Sequence, residues 1–292
     1  MSSQDAKTWF ARLAPYRTSD DGRALGEMLI TIIPFMALWF CMWLLLSKGH
    51  YWALLGVIPA GGLTVRLFII QHDCGHGSMF STRKINDWVG RFLGLLTFTP
   101  YDHWKRGHAL HHATSGNLDR RGVGDDILTL TVDEYKALSK FGKFKYRLYR
   151  HPVVLFGLAP AYLFLLQHRL PIGEMKGGVK PWASAMITNV GLLLLYSGVI
   201  YTFGVKAFLM IQIPTVLVDA SIGIWMFYIQ HQFEDTQWER NSDWSREGAA
   251  LFGSSYYDLP IAIGLLASTK QMKFEELDKY VFMGELSLDG GL

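Results

Sequence analysis

A chain of 292 residues that is half apolar and only 18% charged has too little polar surface to cover a soluble core of its own size, and its mean hydropathy is positive. Its net charge is only +3, and the basic residues lie scattered beside apolar segments; this argues against a nucleic-acid partner and matches the loop bias of proteins that cross a bilayer. Two cysteines, Cys41 in an apolar run and Cys74 among histidines, are too few for a disulfide framework and fit a reducing compartment.

Residues 1–26 carry Lys7, Arg12, Arg17 and Arg23, and the apolar run after them has no small-residue cleavage pattern, so they read as a cytoplasmic tail. A membrane domain follows over residues 27–260. Its first span covers residues 27–46 and its second residues 51–70, each long enough for the hydrocarbon layer, with only Ser47-Lys48-Gly49-His50 between them. Arg66 falls inside the second span, where an unpaired charge is costly, so it must sit near the end or face a protein partner.

From there to His151 the chain is dense in lysine and arginine, which marks this stretch as cytoplasmic. Within it, residues 88–101 are apolar and aromatic but too short to cross, so they are expected to be interfacial or re-entrant. Later apolar runs are residues 153–167, 184–203 and 205–229. Two of these, not three, must cross if His231 is to end on the side where the other histidines lie. The short run with Pro160 is therefore set aside. The expected fold is an all-α integral membrane protein, multi-pass, with four transmembrane helices in two hairpins under a cytoplasmic, histidine-rich metal-binding cap.

The histidines carry the chemistry. His72 and His76 are four apart, and His108, His111 and His112 stand at i, i+3 and i+4, so on a helix each set shares one face, within ~40° and about 6 Å along the axis. Neutral imidazole suits iron, zinc, copper and nickel, and its second nitrogen needs an acceptor to orient the ring. Asp73, Asp102, Glu234 and Asp235 are nearby candidates for that role. Two or three histidines can gather at a membrane surface with no metal, but two clusters plus His231 on one face are harder to explain that way. His50 lies in the far turn and is no ligand; His103 serves a supporting or surface role; His151 and His168 look interfacial.

His-Asp-Cys-Gly-His-Gly-Ser at 72–78 and His-Ala-Leu-His-His-Ala-Thr-Ser-Gly-Asn-Leu-Asp-Arg-Arg-Gly at 108–122 resemble the first two histidine boxes of membrane fatty acid desaturases, the acyl-lipid omega-6 type in particular. The resemblance continues through His231-Gln232-Phe233-Glu234-Asp235-Thr236 and Gly253-Ser254-Ser255-Tyr256-Tyr257-Asp258-Leu259-Pro260. It implies an oxidoreductase that uses dioxygen, two non-haem irons and two electrons to take two hydrogens from adjacent methylenes of a fatty acyl chain. It also implies His72, His76, His108, His111, His112 and His231 as metal ligands, and a ferredoxin or small haem protein as electron donor.

One feature of the family is missing. A third box, a histidine with two more at three and four residues on, is expected about twenty residues past Pro260, and no histidine follows His231. Residues 261–292 form a divergent tail whose Glu275, Glu276 and Asp278 could offer oxygen ligands but read more simply as a solvated charged face. A truncated or frameshifted reading frame would account for it. Two readings stay open: a desaturase or related lipid hydroxylase, or a non-catalytic membrane protein of desaturase fold that binds metal or lipid.

Overall fold

The computed structural model describes residues 19–122, 126–171, 178–232 and 236–245, together with Ala249. Helices α1 (Asp21–Ser47) and α2 (Val57–His76, entered through a 3-10 turn at Tyr51–Gly56) come first. They are followed by α3 (Arg83–Leu96), α4 (Tyr101–Thr114), α5 (Val132–Ala137), α6 (Lys140–Tyr149), α7 (Ala159–Leu165), α8 (Val179–Phe203) and α9 (Ile213–His231). Among the described residues the only strand-like pairing is one isolated bridge, Asn117 to Glu239. The described residues divide into two compact units: 19–107 with 130–171 and 178–225, the scaffold unit, and 108–122, 126–129, 226–232, 236–245 and Ala249, the histidine unit.

Four stretches are long and apolar enough to cross a membrane: Asp21–Ser47, Tyr51–His76, Val179–Phe203 and Val205–His231. These are the four spans the sequence predicts, each extended at one or both ends. The run at 153–167 is broken into a π turn at Val154–Leu158, helix α7 and a 3-10 turn at Gln167–Arg169, and it bends by 57° from α6. Residues 88–101 also differ from expectation in detail: α3 starts earlier, at Arg83, and stops at Leu96, with Trp88 and Phe92 on its exposed face.

Each span buries one stripe and exposes another. Along α1, Thr31, Phe35, Trp39, Met42 and Leu46 recur every three or four residues and are buried, whereas Ile30, Ile33, Met36, Phe40 and Leu44 are exposed. An apolar face of that length fits lipid contact. The buried stripe packs on Ala60, Leu67 and Ile70 of α2 and on Leu93 of α3. Because lipid is as apolar as these side chains, burial alone does not hold such helices together, and buried polar contacts matter more. Trp39 Nε1 donates to Gln212 Oε1 at 3.1 Å, Gln212 Nε2 to the Tyr196 hydroxyl at 3.0 Å, and Thr97 Oγ1 to Gln71 Oε1 at 2.7 Å. Arg66 of α2 meets Glu27 of α1 at 2.5 Å, so its charge has a protein partner, as its place in a span requires.

The first turn of α4 is fixed by α2 and α3. Tyr101 is buried, its hydroxyl donating to the Cys74 carbonyl at 2.9 Å and to Asp87 Oδ1 at 3.1 Å, while Lys105 Nζ donates to the same oxygen at 2.7 Å. Burial, then the Asp87 carboxylate, push the Tyr101 phenol above its usual range, so it stays protonated and donates. Burial raises the Asp87 carboxyl, but its Lys105 and Tyr101 partners outweigh that and hold it below the ordinary range. The ring of Tyr101 lies against Gly90 so closely that an added Cβ would fall 2.2 Å from Cε2. Gly90→Ala is therefore expected to destabilise the scaffold by about 1–3 kcal/mol through overpacking, read as a lower thermal midpoint in detergent. An unchanged midpoint would show that Tyr101 has room to give way.

Candidate metal centre

In the scaffold unit, His72 and His76 occupy the last turn of α2, which ends where Gly77 takes a left-handed conformation (φ 75°) and caps the Asp73 and Cys74 carbonyls. Their Nε2 atoms are 3.2 Å apart. The Nδ1 atom of His72 lies 3.2 Å from Asp73 Oδ1. A ring nitrogen facing a carboxylate carries the proton, so the lone pair of His72 is on Nε2, aimed at the His76 nitrogen.

In the histidine unit the same arrangement occurs twice. His108 and His112, one turn apart on α4, bring their Nε2 atoms to 3.0 Å, and His111 Nε2 lies 3.3 Å from Nε2 of His231 at the end of α9. His111 and His231 are buried, at 2% and 7% exposure, with Phe227 against both rings. On its far side His111 Nδ1 pairs with Asp126, fixing the lone pair of His111 on Nε2 as well.

The segments that follow these two helices are clasped by backbone and side-chain hydrogen bonds. Leu118 N donates to the Glu239 carbonyl at 2.8 Å and Glu239 N to the Gly116 carbonyl at 2.9 Å; Trp244 Nε1 donates to the Ser115 carbonyl at 3.0 Å, and Asn117 Nδ2 to Asn241 Oδ1 at 2.9 Å. Asp119 receives the Asn241 amide and Arg240, which hold its carboxyl below the usual range. The clasp keeps His231 beside His111.

Within each pair the Nε2 atoms, 3.0–3.3 Å apart, are spaced as two ligands of one cation. Imidazole nitrogens about 2.1 Å from one ion and ~90–110° apart stand ~3.0–3.4 Å from each other. The donor set is all imidazole with carboxylates behind two rings, the chemistry of borderline transition metals. Of the remaining sequence candidates, Asp102 goes elsewhere. Both its oxygens accept from Arg91, at 2.8 and 2.9 Å, and it orients no ring. Glu234 and Asp235 lie outside the described residues. His50 sits exposed in the hairpin turn, and His151 is exposed. His168 is buried against Phe164 and is no surface group.

Asp126 is the acceptor that sequence reading missed, for it stands fifteen residues beyond His111 and no helical spacing connects them. Asp126→Asn is expected to weaken metal binding ten- to a hundred-fold with helicity unchanged, measured by chelator competition. Equal affinity in the variant would remove Asp126 from the site.

Four helices long and apolar enough to span a membrane, with imidazoles paired on helices α2, α4 and α9, define a class of histidine-rich, helical membrane proteins whose side chains could hold a metal. The comparisons narrow that class to a family. The profile "Fatty acid desaturase" matches residues 50–256. A "Fatty acid desaturase" of Bacillus subtilis is 42% identical over 250 residues, covering 85% of this chain and 70% of that protein. An "sn-1 acyl-lipid omega-3 desaturase (ferredoxin)" of Synechocystis is 24% identical, covering 76% of this chain and 61% of its own length, and an "sn-1 oleoyl-lipid 12-desaturase" of Anabaena variabilis is 23% identical, covering 82% and 65%. The chain thus spans less than two thirds of the latter two. It belongs to the fatty acid desaturase family, a family of lipid oxidoreductases. A different profile, "Subunit ChlI of Mg-chelatase", matches residues 249–292, which include the position where the resemblance implies a third histidine box.

Proposed function

We propose that residues 27–260 are the metal-binding body of a fatty acyl desaturase, and that 261–292 is a divergent tail that leaves the chain short of the family's full ligand set. The observation that carries the reading is the three Nε2 pairs, each at the separation one cation imposes. His72, His76, His108, His111, His112 and His231 would hold a di-iron, non-haem centre, with Asp73 and Asp126 orienting two of the rings. When bound, the metal supplies the oxidising power that an unactivated C–H bond demands.

In the completed reaction two hydrogens leave adjacent methylenes of the acyl chain and, with two electrons and two protons from outside, dioxygen becomes two waters. The protein's part is to hold one methylene pair in register and to keep water away from it, for which Phe227 beside His111 and His231 gives an apolar wall. A ferredoxin or small haem protein is the proposed donor, supported by the word ferredoxin in the name of the Synechocystis relative. The basic stretch from Arg83 to Arg150 would receive such an acidic partner, on the cytoplasmic face.

The second reading, a metal-holding but non-catalytic desaturase fold, is favoured by one observation: residues 249–292 match another family and contain no histidine. Metal analysis of the purified full chain tests what both readings share. Transition metal that chelators remove supports them, and a helical but metal-free protein, refractory to iron, would overturn both.

A further inference from the structure

The scaffold unit contains a groove of about 750 Å³ between α3, the start of α4 and the first half of α8, and the histidines at 72 and 76 are not part of it. One wall is apolar: Trp88, Phe92 and Leu95 from α3 face Ile187 from α8. Trp88, Phe92 and Ile187 are all more than half exposed, which suits a surface in contact with lipid. At the Gly191 end α8 approaches Leu95, whose Cδ2 lies 2.7 Å from where a Cβ on that glycine would be. From Lys180 to Gly191 the groove follows α8 for about 16 Å, roughly one leaflet's share of a ~30 Å hydrocarbon layer.

The other end is charged, and its charges do not cancel. Four basic side chains line the groove, Arg91, Lys105, Arg106 and Lys180, against two acids, Asp87 and Asp102. Asp102 is taken by Arg91 and Asp87 by Lys105. Arg106 and Lys180 have no carboxylate partner among the described residues, and both are exposed. His103 also lines the groove; its backbone amide is satisfied by Ser184 Oγ at 3.0 Å, yet its buried Nδ1 has no hydrogen-bond partner. Burial, then the charge of Arg106, hold that ring below the usual histidine range, so it is neutral and has one N–H to give.

An apolar channel one leaflet deep with two unpaired cations and a waiting donor at its mouth has the polarity of a single amphiphile with an anionic head. We propose that this groove binds one anionic glycerophospholipid of the surrounding bilayer, an acyl chain lying between α3 and α8 and the phosphate held by Arg106 and Lys180. The assignment depends on the membrane architecture and not on the catalytic reading, so it holds for a preparation stripped of metal.

The test is the full-length chain in nanodiscs of phosphatidylcholine containing a minor fraction of spin-labelled phosphatidylglycerol, or of spin-labelled phosphatidylcholine for comparison. The expected result is a motionally restricted phosphatidylglycerol population that phosphatidylcholine does not match, present with and without metal. In the double variant Arg106→Gln, Lys180→Gln the preference should fall roughly ten- to thirty-fold, as loss of two interfacial cations implies. Both side chains are exposed, so the variant should fold. Ala183→Trp, which fills the groove and leaves the cations, should release the restricted lipid. Equal restriction of the two lipids, a preference untouched by the double variant, or displacement by millimolar inorganic phosphate would each overturn the proposal.

Discussion

Replacing His108, His111 and His112 together by alanine is expected to lower bound transition metal to less than about a tenth of the parent's content, since loss of a single supporting residue alone costs ten- to a hundred-fold. The substitution removes one member of the His111–His231 pair and both members of the His108–His112 pair, leaving His231 with no imidazole partner from α4. Alanine favours helix, so α4 should keep its shape, and its anchoring through Tyr101 and Lys105 lies upstream of the substituted turn. His50→Ala is the control, because that residue is exposed in the hairpin turn, and its metal content should equal the parent's. The measurement is elemental analysis of protein eluting as one species. Unchanged metal in the triple variant would sink the ligand assignment.

The second large effect concerns product. Expressed in a host rich in monounsaturated acyl lipids, the chain is expected to give at most a trace of new double bond by gas chromatography of the acyl esters. On the proposed reading six histidines would be shared by two irons and leave each short of donors, and three fewer ligands would cost more than the ~100-fold penalty of losing one supporting group. Joining to Pro260 the corresponding continuation of the Bacillus subtilis relative should restore product. Robust di-unsaturated lipid from the unaltered chain would show that the six histidines suffice. A joined chain that binds metal but makes nothing would place the defect before Pro260.

The helical faces that carry the histidines were legible because α-helical spacing is local: residues three and four apart must share a face. His72 with His76 and His108 with His112 are such pairs, and in the structure their Nε2 atoms meet at 3.2 and 3.0 Å. His111 defeats the same reasoning. It shares that spacing, yet its close nitrogen is that of His231, 120 positions away. Asp102 misled because nearness in sequence to His103 and His108 says nothing about Arg91, which lies across the α3–α4 turn and takes both its oxygens.

The sequence by itself determined the four spans, because the length and polarity of a run are set against the fixed thickness of the bilayer, residue by residue. It also determined the chemical class of the site, since only imidazole recurs at those positions. Tertiary structure alone decided which carboxylate stands behind His111, which histidine faces it, and which two cations of the α3–α8 groove remain uncancelled. Those choices depend on how loops close and how ion pairs share out neighbours in space. A short-range pattern along the chain carries no such term.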